Sequence, residues 1–114
     1  MGTLKYEEID PVSHSEAEAV FESDDPLRIA RTLIAIGLHD HDWEWVQQHG
    51  LRFLSNTSEV VVSAAILSLA HTARVNQSID LDLVVPALQK VATDQRYAGK
   101  VQDAIDDIEK FVIR

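Results

Sequence analysis

Apolar residues recur at intervals of three and four positions through most of the 114-residue chain, with polar residues between them. This spacing puts apolar side chains on one face of an α-helix, so it predicts helices rather than strands. The valines at 60–62 favour a strand, but they run on into an alanine-rich segment whose length favours a helix. The pattern predicts an all-α chain of about six helices: near 14–23, from 26 to about 38, from 40–42 to about 54, from 56–59 to about 75, from 80–82 to about 92, and near 97–112.

Two helix starts carry a clear sequence signal. Ser13 and Glu16 form the capping-box pattern, in which a hydroxyl and a carboxylate each accept a bond from a free backbone N–H. Asp25 is a typical cap, and Pro26 follows it at a position where its missing N–H is not needed. Aspartates also offer caps at 40 or 42 for the third helix and at 80 or 82 for the fifth.

Short patterns repeat between alternate helices. The second, fourth and sixth predicted helices each contain a small residue, an aliphatic residue, two variable residues and another aliphatic residue, at offsets of 33 and 39. The third and fifth helices share a pattern at an offset of 37. Such periods are typical of HEAT and armadillo repeats, in which helix pairs stack on one another. We therefore expect three antiparallel pairs stacked into a short right-handed solenoid.

The fourth predicted helix is apolar almost all round, which is typical of a helix buried between neighbours. Its polar line consists of Glu59, Ser63 and Arg74, with His71 beside it. The sixth helix has one apolar and one charged face, as a terminal helix requires. The predicted core comprises Leu27, Ile34, Leu38, Trp43, Val46, Leu54, Ala65, Ile66, Leu69, Leu88, Val91, Val101, Ile105 and Ile108.

The charge of the chain is high and unevenly distributed. The net charge is −9 at pH 7, and residues 1–25 hold eight acids against one base. So acidic a chain repels phosphates, which disfavours direct nucleic-acid binding and favours a basic protein partner. High solubility is the alternative explanation. We divide the chain into an acidic, extended segment, 1–12, and a single helical-repeat domain, 13–114.

Several classes of function lack support in the sequence. The absence of cysteine excludes disulfides and thiolate metal sites and suits a reducing cytoplasm. No run approaches the roughly 20 apolar residues of a membrane span, and the N-terminus has no apolar signal-peptide core. No phosphate-binding loop, nucleophile elbow or dinucleotide fingerprint is present. We expect a cytoplasmic protein that is not an enzyme, needs no cofactor and does not bind membranes.

Residues 39–50, HDHDWEWVQQHG, form the densest group of chemically versatile side chains. His39 and His41 with a neighbouring carboxylate could bind zinc from a loop. However, their spacing matches no common metal motif, and Asp40 or Asp42 is explained more simply as a helix cap. We therefore predict no metal site here.

The two tryptophans of this segment fall on different faces of the third helix. At 100° per residue, Trp43 lies on the stripe of Val46 and Leu54, which predicts a core position. Trp45 projects from the polar side. We expect it to pack on the preceding helix pair, and the alternative is an aromatic anchor for a partner.

Three segments resemble a known group of proteins: 42–47 (DWEWVQ), 69–74 (LAHTAR) and 98–111 (AGKVQDAIDDIEKF). They are similar to signatures of small bacterial HEAT-like proteins found in polymorphic toxin loci. The resemblance covers residues 25 to 112, with Lys100 standing where arginine is expected and 68–70 where a Leu-Gly pair is common. Some such proteins are immunity proteins of contact-dependent growth inhibition (CDI) systems, which neutralise the delivered toxin domain of a large surface protein.

The resemblance implies a cytoplasmic inhibitor that binds one toxin domain one-to-one and covers its active site or substrate groove. Toxins of this kind are often nucleases, whose basic grooves an acidic inhibitor complements. The alternative is a generic HEAT-like scaffold that bridges other cytoplasmic proteins. The candidate partner-binding residues are Glu16, Glu18, Glu22, Asp24, Trp45, Glu59, His71, Arg74, Asp103, Asp106 and Asp107, although each acidic group could equally be a solvated face.

Overall fold

A computed structural model of the protein describes residues 9–112, and this part of the chain is helical with no strand. The predicted number, order and type of elements are confirmed, and every helix end lies within about two residues of the prediction. The helices are α1 (His14–Phe21), α2 (Pro26–His39), α3 (Trp43–Phe53), α4 (Glu59–Asn76), α5 (Leu81–Val91) and α6 (Ala98–Phe111).

The first three helices begin at the side-chain caps that the sequence predicts. Ser13 and Glu16 complete a capping box, with the Glu16 amide donating to the Ser13 hydroxyl at 3.1 Å. Asp25 caps α2 ahead of Pro26. Of the two possible caps for α3, Asp42 fills the role and accepts a bond from the Trp45 amide.

α4 is the central helix of the fold. It packs against α2, α3 and α6, and it is buried over most of its length. α2, α4 and α6 therefore lie side by side as one layer, with α4 in the middle. α3 packs on α4 from one face of this layer. α3 also contacts α5. Packing between alternate helices is what stacked helix pairs produce, and the HEAT-like classification itself stays a prediction.

Two glycines allow neighbouring helices to approach α4 closely. A Cβ on Gly37 would lie 2.9 Å from both Cα and O of Ser68, so α2 and α4 meet backbone to backbone at this point. A Cβ on Gly50 would lie 2.8 Å from a methyl carbon of Leu69, where α3 crosses α4. Glycine is required at Gly37 because backbone atoms, unlike a side-chain tip, cannot move aside.

Most of the predicted core is confirmed. The buried residues include Val46, Leu54, Ala65, Ile66, Leu69, Leu88, Val101 and Ile108, and the half-buried Ile34, Val91 and Ile105 pack against them. The core also contains residues beyond those predicted, among them Phe21, Leu33, Ile36, Phe53 and Val84.

Three of the predicted core positions are wrong. Leu27 is 71% exposed, and Leu38 and Trp43 are only half-buried and lie outside the core cluster. The physical reason in α2 is that the helix is apolar on two sides. The side that carries Leu33 and Ile36 faces the core, so the side that carries Leu27 and Leu38 is turned away from it.

The chain that precedes α1 packs on the helical domain. Ile9 is 2% exposed, and its carbonyl oxygen accepts a hydrogen bond from Nε2 of His39 at 2.7 Å. Val12 packs against the core cluster. Of the segment 1–12 that we expected to be extended, residues 1–8 lie outside the described part, and residues 9–12 contain no helix.

Candidate protein-binding surface

α1 and α3 meet through a stacked pair of rings. The imidazole of His14 lies 3.6 Å from the indole of Trp45, with 8° between the planes. Nε2 of His14 donates to the Asp40 carboxylate at 3.0 Å, and Nε1 of Trp45 donates to Glu18 at 3.3 Å. Trp45 is half-buried and packs against the core, as the packing interpretation predicted.

A buried histidine lies beneath this stack. His49 is 7% exposed and contacts the ring of Trp45 edge-on at 4.9 Å and the ring of Phe21 at 4.8 Å. Burial lowers the pKa of His49, and the positive charge of Arg52 lowers it further. His49 is therefore neutral at pH 7 and acts as part of the apolar packing between α1 and α3.

The segment HDHDWEWVQQHG holds the helices together. Besides the contacts of His39, Asp40, Asp42 and Trp45, the Gln47 side chain accepts a bond from the Asp80 amide at 2.6 Å, at the start of α5. The Asp40 carbonyl accepts one from Asn76 at the end of α4. The polar residues of this segment thus join the N-terminal chain, α1 and α4 to the end of α2 and the turn after it, and α1 and α5 to α3.

The geometry of this segment gives no support to the zinc alternative. His39 is bonded to Ile9, and His41 is exposed. Within residues 9–112, no three His, Asp or Glu side chains converge so that they could hold a metal ion. None of the helices in that range is long and apolar enough to cross a lipid bilayer.

The acidic candidates on α1 and just after it are exposed, but three of them already have partners. Ser13 lowers the pKa of Glu16 through hydrogen bonds from its backbone amide and then its hydroxyl. Glu18 accepts the bond from Trp45, and Glu22 pairs with Arg52 at 3.1 Å. Asp24 is exposed in the turn between α1 and α2. These carboxylates therefore contribute to the structure as well as to the surface charge.

The polar line predicted for α4 is only partly a surface. Glu59 is exposed and pairs with Arg96 at 3.3 Å, and Arg74 is exposed near the other end. His71, predicted as a partner-binding residue, is instead buried, with 9% exposure. The His71 side chain lies between α4 and α6 rather than in solvent. A partner could therefore contact only a small part of its surface.

The pKa of His71 follows from this position. Burial is the main cause that lowers it to about 4, and the nearby Arg74 acts in the same direction. Asp107 of α6 opposes the shift. This influence agrees with the packing of α6 against α4.

The three acidic candidates of α6 do not form a single row. Asp103 and Asp107, four residues apart, lie about 40° apart around the helix, whereas Asp106 is about 100° from Asp107. All three are exposed, and Asp106 accepts a bond from Gln102 at 2.9 Å. Asp103 and Asp107 share the flank beside α4, and Asp106 lies toward the other flank with Glu109.

Comparison with known proteins gives one informative likeness. No protein-family model matches the chain, and no curated protein matches it. The fold is similar to a chain of the crystal structure of a CDI complex from Cupriavidus taiwanensis LMG 19424, with a TM-score of 0.85 and 26% identity. The superposition covers 97% of this chain and 100% of the other.

Proposed function

We propose that this protein is an immunity protein of a contact-dependent growth inhibition system, which binds a cognate toxin domain in the cytoplasm and neutralises it. The observation that carries the proposal is the likeness to a chain of a CDI complex, because it extends over nearly the whole of both chains. Because the likeness covers both chains almost completely, it is not the likeness of one shared domain in two otherwise different proteins. The resemblance of three sequence segments to HEAT-like immunity proteins points to the same class.

The charge of the chain favours the inhibitor over the toxin as its role in such a complex. A nuclease toxin needs a basic groove to admit phosphates, and a chain at net charge −9 would repel them. The same charge suits a protein that covers a basic groove, because opposite charges accelerate association and select the partner. We therefore propose a nuclease domain as the partner, in a one-to-one complex.

The test first asks whether a toxin domain is encoded immediately upstream of this chain, as the proposal expects, and then uses that domain. We expect the two proteins to co-elute as a one-to-one complex in size-exclusion chromatography with light scattering, and the toxin to lose its nuclease activity. Cells that express the toxin domain should grow only when this chain is expressed with it. If the two proteins do not associate and growth is not restored, the immunity role is wrong.

The rival proposal is a HEAT-like scaffold that bridges other cytoplasmic proteins, and the packing of alternate helices fits it equally well. A pull-down with this chain as bait, followed by mass spectrometry, separates the two. An immunity protein should capture one basic domain in a fixed ratio, whereas a scaffold should capture at least two different proteins in one assembly.

A further inference from the structure

The outer face of the α2–α4–α6 layer carries apolar side chains that the fold does not bury. On α2, Leu27, Ile34 and Leu38 lie within about 40° of one another around the helix, on one stripe. Leu27 is 71% exposed, and Leu38 is half-buried. Arg31 is exposed on the same stripe. This stripe is therefore partly open to solvent: Leu27 is exposed near its start, whereas Ile34 is half-buried and packs against the core cluster.

α4 continues this surface beside α2. Leu69 packs on Gly50 of α3, and Leu67, two residues away, projects about 200° around the helix on the side away from α3. Val60 lies near the same line and is 42% exposed, and Leu67 is half-buried outside the core cluster. Exposed aliphatic side chains on neighbouring helices form a patch of the kind that marks protein-binding sites.

α6 adds acidic residues at the far edge of the patch. α6 packs against α4, and Asp103 and Asp107 lie about 40° apart on one flank of α6, both exposed. The influence of Asp107 on the pKa of His71 agrees with a position of this flank beside α4. Like charges four residues apart on a helix repel each other by a few tenths of a kcal/mol, and neither carboxylate makes an ion pair among residues 9–112. Lys100 lies on the same flank and makes no ion pair with them within the described chain.

We infer that this layer face, defined by Leu27, Arg31, Ile34, Leu38, Val60, Leu67, Asp103 and Asp107, is the surface that binds the toxin domain. The inference rests on the proposed function and identifies the binding site for it. The expected occupant is a part of the toxin surface with an aliphatic or aromatic side chain at its centre and Lys or Arg on the side that meets α6. The apolar contact excludes water around the charge pairs, which strengthens them.

The face is also asymmetric in charge, which gives the complex one orientation. Arg31 lies on its α2 side, and the carboxylates lie on its α6 side. A partner whose basic residues faced α2 would place like charges together, and this disfavours the reversed arrangement. The acids of α1 are on a different helix and act on the partner at longer range.

Two triple variants with the same change in net charge, each with one Leu→Gln replacement, test the inference. The face variant is Leu27→Gln, Asp103→Lys and Asp107→Lys. The matched control is Leu83→Gln, Asp106→Lys and Glu109→Lys, in which Leu83 is 55% exposed and both acids lie on the other flank of α6. Both variants change the net charge equally, so long-range attraction to a basic partner falls equally in both.

Affinity for the purified toxin domain is measured by calorimetry or surface plasmon resonance, with circular dichroism as the check on folding. We expect the face variant to bind at least tenfold more weakly than the control. Equal affinities of the two variants, with the wild type binding tightly, would overturn the inference and leave the immunity role intact. Failure of the wild type itself to bind would instead overturn the proposed function.

A second copy of this chain is the other candidate occupant of this face. Sedimentation of the wild-type protein alone tests for such self-association. A monomer at working concentration supports a toxin as the occupant. A wild-type dimer that the face variant converts to a monomer, while toxin affinity stays unchanged, would assign the face to a second copy of this chain and overturn the inference.

Discussion

The imidazole of His14 stacks on the indole of Trp45 at 3.6 Å, while its Nε2 donates to the Asp40 carboxylate at 3.0 Å. His14 thus joins α1 both to α3 and to the turn before it. α1 is only eight residues long, too short to be stable alone, so its position depends on contacts of this kind. The stack is therefore one of the contacts that hold α1, together with the buried side chains of Ala17 and Phe21.

Replacement of Trp45 by alanine should remove this anchor. We expect a loss of about 2–4 kcal/mol in the free energy of unfolding, near the lower end for a buried aromatic because Trp45 is half-exposed. Urea denaturation measures it. Trp45→Phe is the control, since it keeps a ring beneath His14 while it loses the bond to Glu18 and part of the indole contact area; it should cost about 1–2 kcal/mol. Equal costs for both would show that the ring stack does not hold α1.

Ile66 tests the central position of α4. The side chain is 1% exposed, so Ile66→Ala should lower the free energy of unfolding by about 2–5 kcal/mol through lost burial and the remaining cavity. Val60→Ala, at a 42% exposed position of the same helix, should cost less than about 1 kcal/mol. A cost below about 1 kcal/mol at Ile66 would contradict the packing of α4 between its neighbours.

The close approach of α2 to α4 predicts opposite effects of alanine at two helical glycines. Gly37→Ala places a Cβ 2.9 Å from the Ser68 backbone and should cost about 1–3 kcal/mol by overpacking. At Gly99, in the first turn of α6, an added Cβ meets nothing within 4 Å, so Gly99→Ala should stabilise the protein by up to about 0.5 kcal/mol through helix propensity. Thermal unfolding of both variants measures the difference in sign.

The low pKa of His71 predicts acid sensitivity. Because the folded-state pKa, about 4, lies below the ordinary value of 6.5, the unfolded chain binds a proton before the folded chain does. The stability that depends on a neutral His71 is complete above pH 6.5, falls as the pH decreases toward 4, and does not fall further below that value. Between pH 7.5 and 4.5 the protein loses about 2–3 kcal/mol of its free energy of unfolding in this way.

His71→Gln isolates this contribution from that of the many carboxylates. The variant should lose less stability than the wild type between pH 7.5 and 4.5, although glutamine lowers its stability at pH 7.5. Urea titrations at the two pH values give both differences. Parallel losses in the two proteins would mean that His71 titrates near its ordinary pKa.

Recognition of a basic toxin groove predicts a strong dependence on salt. The association rate should fall severalfold between low and moderate ionic strength, because long-range attraction is screened over about 10 Å at 0.1 M. Reversal of Glu16, Glu18 and Glu22 together should slow association but also lower the melting temperature, since all three have structural partners. Stopped-flow kinetics on the folded variant separates the two effects. An association rate independent of salt would argue against acidic recognition.

The helices were predictable from the sequence because their signals are local. Ser13 with Glu16 and Asp25 with Pro26 give their caps within four residues, and the spacing of apolar side chains sets the period. The central place of α4 was also predictable, because a helix that is apolar nearly all round must be covered on several sides.

Only the tertiary structure decided which apolar stripe faces inward and which charges meet. α2 is apolar on two sides, and the direction from which α4 approaches, with Gly37 against Ser68, buries the stripe of Leu33 and exposes that of Leu27. His71 lies on a polar line by its spacing, yet packing around α4 buries it. The partners of Trp45, Glu22 and Glu59 are 27, 30 and 37 residues away. Helix period and capping depend on neighbours within about four residues, whereas burial and ion pairing depend on which distant helices meet, and that is a property of the packed chain.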